Sequence, residues 1–536
     1  MTERWVALAL VAGILFAGGS TAMAKDLAPL PAGGSPDLFK HEPEPWRTYF
    51  RAARKAEQLA DPLERCLAYP DLPGTQWPAG YGAAHCHYHL GRVPTVAETD
   101  ALVSAGNIVE LEQRLRSLLA THETEVPERE GVHLFFQQLS EEPKDGLRIT
   151  ERWLALAPDS ALAAVARGSA LKGAGWEARG GKWARETSGT QMRVMSAYFD
   201  QAESQFKRAT KLQPGWVYPY VGLMDVGKAD RDEVGEWGFE KANAIDPGCG
   251  EVAYRRMQAL EPRWGGSWGA MEMYAKQLAV HVARRPLLAN QISEPYADFV
   301  SMVDEDQRRT PKAIALLESA VQTSGLEAGL HAAATAIMDP SEGEPDGRRG
   351  VAMLLQESRF QPAGTWADRA IGRYFVRRDP AWAKSVLQRA VAADSDDAFG
   401  QYNLGAANYN NGDFDEAEPH YVAAANNPDY QADALNELAS MWLLDSGLEP
   451  GKAAAKAKPF VERLLKAHPK NANGLYLRIV LKAVSPKGFL DEALIREFLA
   501  VADRSDPRLE HRRAAMTKLL DDLKKGPPSG ISVTFD

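Results

Sequence analysis

Residues 398–429 read AFGQYNLGAANYNNGDFDEAEPHYVAAANNPD, and this stretch decides the fold. Its second half carries a small–large–small triplet, Ala417, Tyr421 and Ala424. A triplet of the same spacing, Ala383, Leu387 and Ala390, lies 34 residues earlier. Positions three and four apart share one face of a helix. A small residue there lets a neighbouring helix approach, and the large residue beside it fills the groove. The spacing recurs at Ala202, Phe206 and Ala209 before Pro214, and at Gly235, Phe239 and Ala242 before Pro247. Ala313, Leu317 and Ala320 repeat it, as do Gly350, Leu354 and Glu357 before Pro362, and Ala457, Val461 and Leu464 before Pro469. A proline after the last turn cannot continue a helix and sets a stop. Each unit is therefore a helix pair that cannot bury its apolar face alone, and stacking such pairs builds a continuous core. The expected fold is all-α, a helical-hairpin solenoid.

The 398–429 stretch resembles a tetratricopeptide (TPR) repeat. Leu404-Gly405 stands where the first helix of that repeat has its Leu-Gly, Gly412 to Ala417 resembles the turn and the start of the second helix, and Tyr421 and Ala424 follow at the family spacing. Pro419 lies early in the second helix, and the closing Pro428 comes one residue early. A second resemblance covers the first half: Trp153-x4-Pro158-x-Ser160, then Trp176-x2-Arg179-Gly180, then Pro262-Arg263-Trp264-Gly265-Gly266-Ser267-Trp268 with Met271. This combination is similar to an uncharacterised family of exported bacterial TPR-like proteins, which implies a fold and no chemistry. A TPR-type protein works by binding a peptide or protein partner rather than by catalysis.

The chain has 536 residues, too many for one ordinary core, with 45% hydrophobic and 25% charged residues,. Arg4, the apolar run Trp5–Phe16 and Ala22-Met23-Ala24 read as a signal peptide, 1–24, cleaved after Ala24,. The run is shorter than the ~20 residues of a membrane span, so no stable membrane insertion is expected after cleavage, and the mature protein is expected to be periplasmic or secreted. Glu3 and Arg4 cancel, leaving the formal charge at −10. With no basic stripe, nucleic acid is a poor partner. The expected divisions are a loop-rich N-terminal segment (25–98), a helical domain with TPR-like repeats (99–324), a C-terminal TPR array (348–523) and a disordered tail (524–536). The polar break Asp339–Pro345 lies between the two arrays, and Lys25–Glu44 reads as a linker or loosely docked arm.

Three cysteines are present, Cys66, Cys86 and Cys249. In an oxidising compartment Cys66 and Cys86, 20 residues apart in a Pro/Gly-rich segment, are the natural disulfide pair,. The segment His85-Cys86-His87-Tyr88-His89 offers good ligands for zinc or copper. On a strand His85, His87 and His89 share a face; on a helix His85 and His89 do. A metal-dependent hydrolase or redox protein built on this segment is the alternative to an interaction protein. The competing claim of Cys66 on Cys86 leads us to expect no metal and no cofactor. No phosphate loop, His-Glu-x2-His or Gly-x-Ser-x-Gly motif occurs,. Pro262–Trp268 reads as a helix–helix turn in which Gly265-Gly266 supply unusual backbone angles and Ser267 caps the next helix; Trp264 and Trp268 as an aromatic ligand patch is the other reading.

In the TPR resemblance the second, fifth, sixth and ninth positions of each repeat face the concave groove. With Leu404 at position seven, Tyr402, Asn403 and Ala406 face inward. One repeat on, Asp433, Asn436 and Glu437 do so, and one repeat earlier Arg369 and Arg373. Acidic residues at Asp433 and Glu437 are unfavourable to a carboxylate, so the groove does not resemble a chaperone-tail clamp. A groove of this kind suits a peptide carrying both charge signs. The cysteine pairing predicts that thiol titration of unfolded, unreduced protein finds one reactive thiol per chain, that of Cys249. Three thiols would rule the bridge out.

Overall fold

A computed structural model describes residues 38–123, 131–182, 184–228, 231–303, 305–338, 347–360, 364–484 and 492–524. The signal-peptide reading, the Asp339–Pro345 break and all but the first residue of the tail lie outside these residues. Every regular element among the described residues is helical. No helix among them is long and apolar enough to cross a membrane. The chain forms two compact units. One spans Pro43–Pro362, and the other spans Ala363 onward together with the segment ending at Glu42.

In the first unit the helices begin where the sequence supplies caps. Thr95 and Glu98 form a reciprocal capping box before Val96–Ser104, and Ser188 and Gln191 do the same before Gly189–Leu212,. Ser160 accepts from the Ala163 N–H before Ala161–Arg179. Consecutive helices then pack on their neighbours, and the triplets supply part of the contact. Ala202, Phe206 and Ala209 are all buried. The Phe206 ring lies where a Cβ on Gly168 would come within 2.6 Å of it, and it blocks a Cβ on Gly222 as well. Phe206 is thus seated between two glycines of the flanking helices Ala161–Arg179 and Tyr218–Gly227. The surrounding core contains Trp153, Phe135, Phe136, Phe199 and Leu223.

Residues 43–92 are stapled into this unit. They form helices Trp46–Ala56, Pro62–Ala68 and Tyr81–Leu90, with an irregular stretch between the last two. The staple is the helix Gly347–Phe360. Its buried Gln356 donates to the Pro70 carbonyl at 2.7 Å, and its buried Arg359 donates to the Cys66 carbonyl at 2.9 Å and to Asp71 Oδ1 at 2.8 Å. Trp77 Nε1 reaches the Val321 carbonyl at 2.8 Å. A Pro/Gly-rich loop has carbonyls without helical partners, and Gln356 satisfies that of Pro70,. The helix Gly347–Phe360 therefore belongs with the N-terminal segment, and the division between units falls after Pro362.

The second unit runs through Thr365–Phe375, Pro380–Ala393, Ala398–Asn410, Phe414–Ala424, Pro428–Ser440, Pro450–Ala467, Ala472–Val484, Glu492–Val501 and Pro507–Lys524. The two triplets that opened the sequence argument are fully buried in it. Leu387 packs over Gly372, and a Cβ on Gly405 would come within 2.9 Å of the Tyr421 ring. Pro419 is accommodated inside Phe414–Ala424. Residues 38–42 belong to this unit. Phe39 is buried against Phe375 and Trp382, with ring centroids 5.9 and 6.4 Å away, and Glu42 accepts from Tyr374 Oη at 3.0 Å and Arg378 Nε at 3.2 Å.

The packing predicts that Ala417→Leu, which overpacks a fully buried contact, and Gly405→Ala, which drives a methyl into the Tyr421 ring, each destabilise the second unit by ~1–3 kcal/mol in urea unfolding. A silent Ala417→Leu would mean that the repeat register is wrong.

Candidate functional site

Two polar surfaces stand out, one in each unit. The second unit's begins on the helix Thr365–Phe375. Arg369 is ion-paired, with Nε 2.6 Å from Asp397 Oδ2 and a terminal nitrogen 3.2 Å from Asp394 Oδ2. Asp397 also caps the next helix, accepting from the Gly400 N–H at 2.7 Å, so Arg369 braces a helix start,. The exposed Arg373 lies with its guanidinium 5.7 Å from the Phe399 ring centroid, a cation–π arrangement,. Arg377, one turn further and just past the helix end, acts electrostatically on Tyr402, Tyr421 and Glu437. The inward register did not name it; its only signal in the sequence is its position four residues after Arg373.

A chain of aromatic contacts runs through the same helices. Phe399 and Tyr430 are 6.4 Å apart, Tyr402 and Tyr430 5.8 Å, and Tyr402 and Tyr421 5.5 Å. On the far side Glu437 is partly buried. Burial raises its pKa above the usual carboxylate range, Asp433 and Asp445 raise it further, and Arg377 opposes them. Burial, followed by Glu437 and Asp433, also keeps the Tyr402 hydroxyl protonated well past its ordinary range. Asp433 is exposed. Asn436 is partly buried, and its Oδ1 has no hydrogen-bond partner. Asn403 is placed differently from the other expected residues: it is buried, and its amide donates to the Phe399 carbonyl of its own helix at 2.8 Å.

The first unit carries a seam of buried charges that no motif announced. Lys172 Nζ lies 2.6 Å from Asp225 Oδ2, and Arg255 Nε lies 2.8 Å from Asp225 Oδ1. His133 Nε2 is 3.1 Å from Glu251 Oε2, and Tyr88 donates to Glu251 Oε1 at 3.0 Å. Burial alone would raise the Asp225 carboxyl, but Arg255, Lys172 and Lys228 overcome it and hold the group well below the usual range. Burial, with Arg255 and Lys172, keeps His133 neutral. Burial, then the neighbouring Arg255, lowers Lys228 to about 8. The seam continues through Glu261, which burial raises to about 7, and Glu294, which burial, Glu261 and Asp298 raise to about 8.

Pro262–Trp268 serves this seam. Gly265 adopts φ +91, and a Cβ on Gly266 would meet the Leu260 carbonyl, so both glycines are required by the backbone,. Ser267 accepts from the Ala270 N–H, as a cap should. Arg263 bridges Glu261 and Asp298 at 2.6 Å each, and Trp268 Nε1 donates to Asp298 Oδ2 at 2.9 Å. The motif is thus a turn whose side chains hold buried acids. Trp264 is half exposed, with Lys228 Nζ 5.2 Å from its ring centroid.

The His85–His89 segment is helical, within Tyr81–Leu90. His85 and His89 share a face and both meet Glu327, while the sulfurs of Cys66 and Cys86 stand at bonding distance. Cys249 is buried in the core beneath Gly250–Ala259.

No family model matches the chain, and no curated protein matches it. Among solved structures it is similar to the TPR domain of P58(IPK), at 15% identity over 62% of this chain and 97% of that one, with a TM-score of 0.25. It is similar to a chain of the Naa15/Naa10 complex bound to HypK-THB, at 10% identity over 81% of this chain and 97% of that one, with a TM-score of 0.28. It is also similar to the human IFIT1 dimer with PPP-AAAA, at 12% identity over 78% and 92%, with a TM-score of 0.25. The TPR-like helical-hairpin class rests on the chain's own packing of Phe206, Leu387 and Tyr421, not on these likenesses.

The seam predicts a pH dependence. An acid raised from 4.5 to about 8 is protonated in the folded protein where the unfolded chain is already ionised,. Its stabilisation is complete below the unfolded value and is lost as the pH rises to about 8. Glu294→Gln keeps the shape of the protonated acid. It should melt ~2 °C or more above wild type at pH 8.5, with no difference near pH 4. Equal melting at both pH values would show that Glu294 titrates alike in the folded and unfolded chain.

Proposed function

We propose that this chain is an exported TPR-type interaction protein that takes a peptide or protein segment of mixed charge into the groove of its second unit. One arrangement supports the reading: Arg373 lies over Phe399, ring contacts run from Phe399 through Tyr430 to Tyr402, and Arg377 and Asp433 both act on Glu437. An aromatic floor supplies rigid apolar area with polar tips, which suits an extended segment with alternating side chains. The partly desolvated Glu437 rewards a basic ligand residue more than a fully hydrated carboxylate would, since a hydrogen bond to a charged group contributes ~1.5–3 kcal/mol. The arginines do the same for an acidic residue at the other wall.

Export rests on the apolar run and the Ala-Met-Ala site, with cleavage after Ala24 and a periplasmic or secreted mature chain. The Cys66–Cys86 pair agrees with an oxidising compartment. A bridge closing a loop of this size contributes ~3 kcal/mol through the unfolded state.

Partners captured from an envelope extract on the mature protein are titrated against Arg373→Ala, Arg377→Ala and Glu437→Ala. Each variant should weaken binding about tenfold or more while changing stability by no more than ~0.5 kcal/mol. Variants that bind like wild type would move the ligand off this groove.

A further inference from the structure

The geometry points to a binding site in the first unit for one divalent transition-metal ion of the zinc class, with His85, His89 and Glu327 as its ligands. His85 and His89 are four residues apart on Tyr81–Leu90 and project from one face, with ring centroids 4.8 Å apart,. Glu327 opens the helix Glu327–Ile337. Its Oε1 lies 3.2 Å from Nε2 of each histidine, and one ligand atom from each of the three residues falls within 4.8 Å of the others.

The spacing suits a metal. Zinc bonds of ~2.0–2.1 Å in tetrahedral directions put neighbouring ligand atoms ~3.3 Å apart. Two of the three separations are already there. The third closes by a small rotation of His89, the more exposed ring, whose side chain is 28% accessible. Two imidazoles and one carboxylate favour zinc and its neighbours over calcium or magnesium, which prefer all-oxygen shells. Solvent reaches the cluster at His89, leaving a fourth position for water.

The carboxylate and the two rings converge on one another. Glu327 Oε1 is buried, and the Nε2 atoms of His85 and His89 each stand 3.2 Å from it. A cation held among these three atoms would offset the cost of withdrawing the carboxylate from water. The frame around it is rigid. His85 stacks on Phe360 at 4.0 Å, and Tyr81, one turn earlier on the same face, accepts from the Gly325 N–H at 2.8 Å. Tyr81 therefore fixes the backbone two residues before Glu327, so the helix that supplies both imidazoles also positions the carboxylate. Cys86 points its sulfur to Cys66 and is not a ligand.

The test uses untagged mature protein, stripped with chelator and titrated with zinc chloride alone in a calorimeter, with bound metal counted after dialysis. One zinc per chain is expected. His89→Ala and Glu327→Gln should each weaken it by more than about tenfold, since even outer partners of a zinc ligand are worth that much. His87→Ala, on the same helix, should bind zinc as wild type does. The metal-free variants should melt with metal-free wild type; should Glu327→Gln fail to fold, His89→Ala, at a partly exposed position, decides alone. No stoichiometric zinc in wild type, or wild-type affinity in the ligand variants, would overturn the site.

Discussion

The fold depends on a large side chain seated on a glycine of the neighbouring helix. Phe206 lies between Gly168 and Gly222, Leu387 over Gly372, Tyr421 over Gly405 and Leu464 over Gly474. Each pair lets two helix backbones approach to a distance that a Cβ would forbid, and the ring or isobutyl group fills the resulting groove. Interiors are packed densely enough that such a seat accepts one register only. That register decides which face of each helix is left over. Tyr402 and Glu437 are only partly buried, while Leu404 and Leu438, on the same helices, are committed to the core.

The N-terminal segment obeys a different constraint. Between Ala68 and Tyr81 the chain forms no helix, so its carbonyls need partners from elsewhere,. Gln356 and Arg359 reach the Pro70 carbonyl, at 2.7 and 3.5 Å, from a helix nearly three hundred residues later in the chain. A buried guanidinium is costly unless several donors are used. Arg359 uses its donors on the Cys66 carbonyl, Asp71 and Gln356, and its guanidinium also lies 4.9 Å from the Phe360 ring centroid. This anchoring holds Tyr81–Leu90 against the helix that begins at Glu327.

The legible part of the sequence was its local part. Helix pairs, caps and the 34-residue register depend on residues within a turn or a repeat of each other, and Ala383, Leu387 and Ala390 announce their burial by spacing alone. Ser267 and the two glycines beside it were readable as a turn for the same reason. The groove was partly legible. The register gives the direction of a Cα–Cβ bond but not the end of the side chain, and Asn403 turns its amide back to its own helix. Arg377 escaped because it sits beyond Phe375, where the helical register no longer applies. Glu327 and the Lys172–Asp225–Arg255 seam were illegible, since nothing local marks which distant charge a lysine or a histidine will meet.

The two polar surfaces differ in what their charges can do. In the first unit Lys172, Asp225 and Arg255 are buried or nearly so and matched to one another. Removing one member leaves its partners desolvated, at a cost of ~3–5 kcal/mol. Such groups are committed, and a ligand would have to displace a partner of equal strength. In the second unit Arg373 is exposed and Asp433 is exposed, while Glu437 is only partly withdrawn from water. Exposed charges contribute little to folding, so exchanging water for a ligand's charge sacrifices little stability. In the first unit Glu327 is the exception: largely withdrawn from water, it meets two imidazoles rather than a guanidinium or an ammonium.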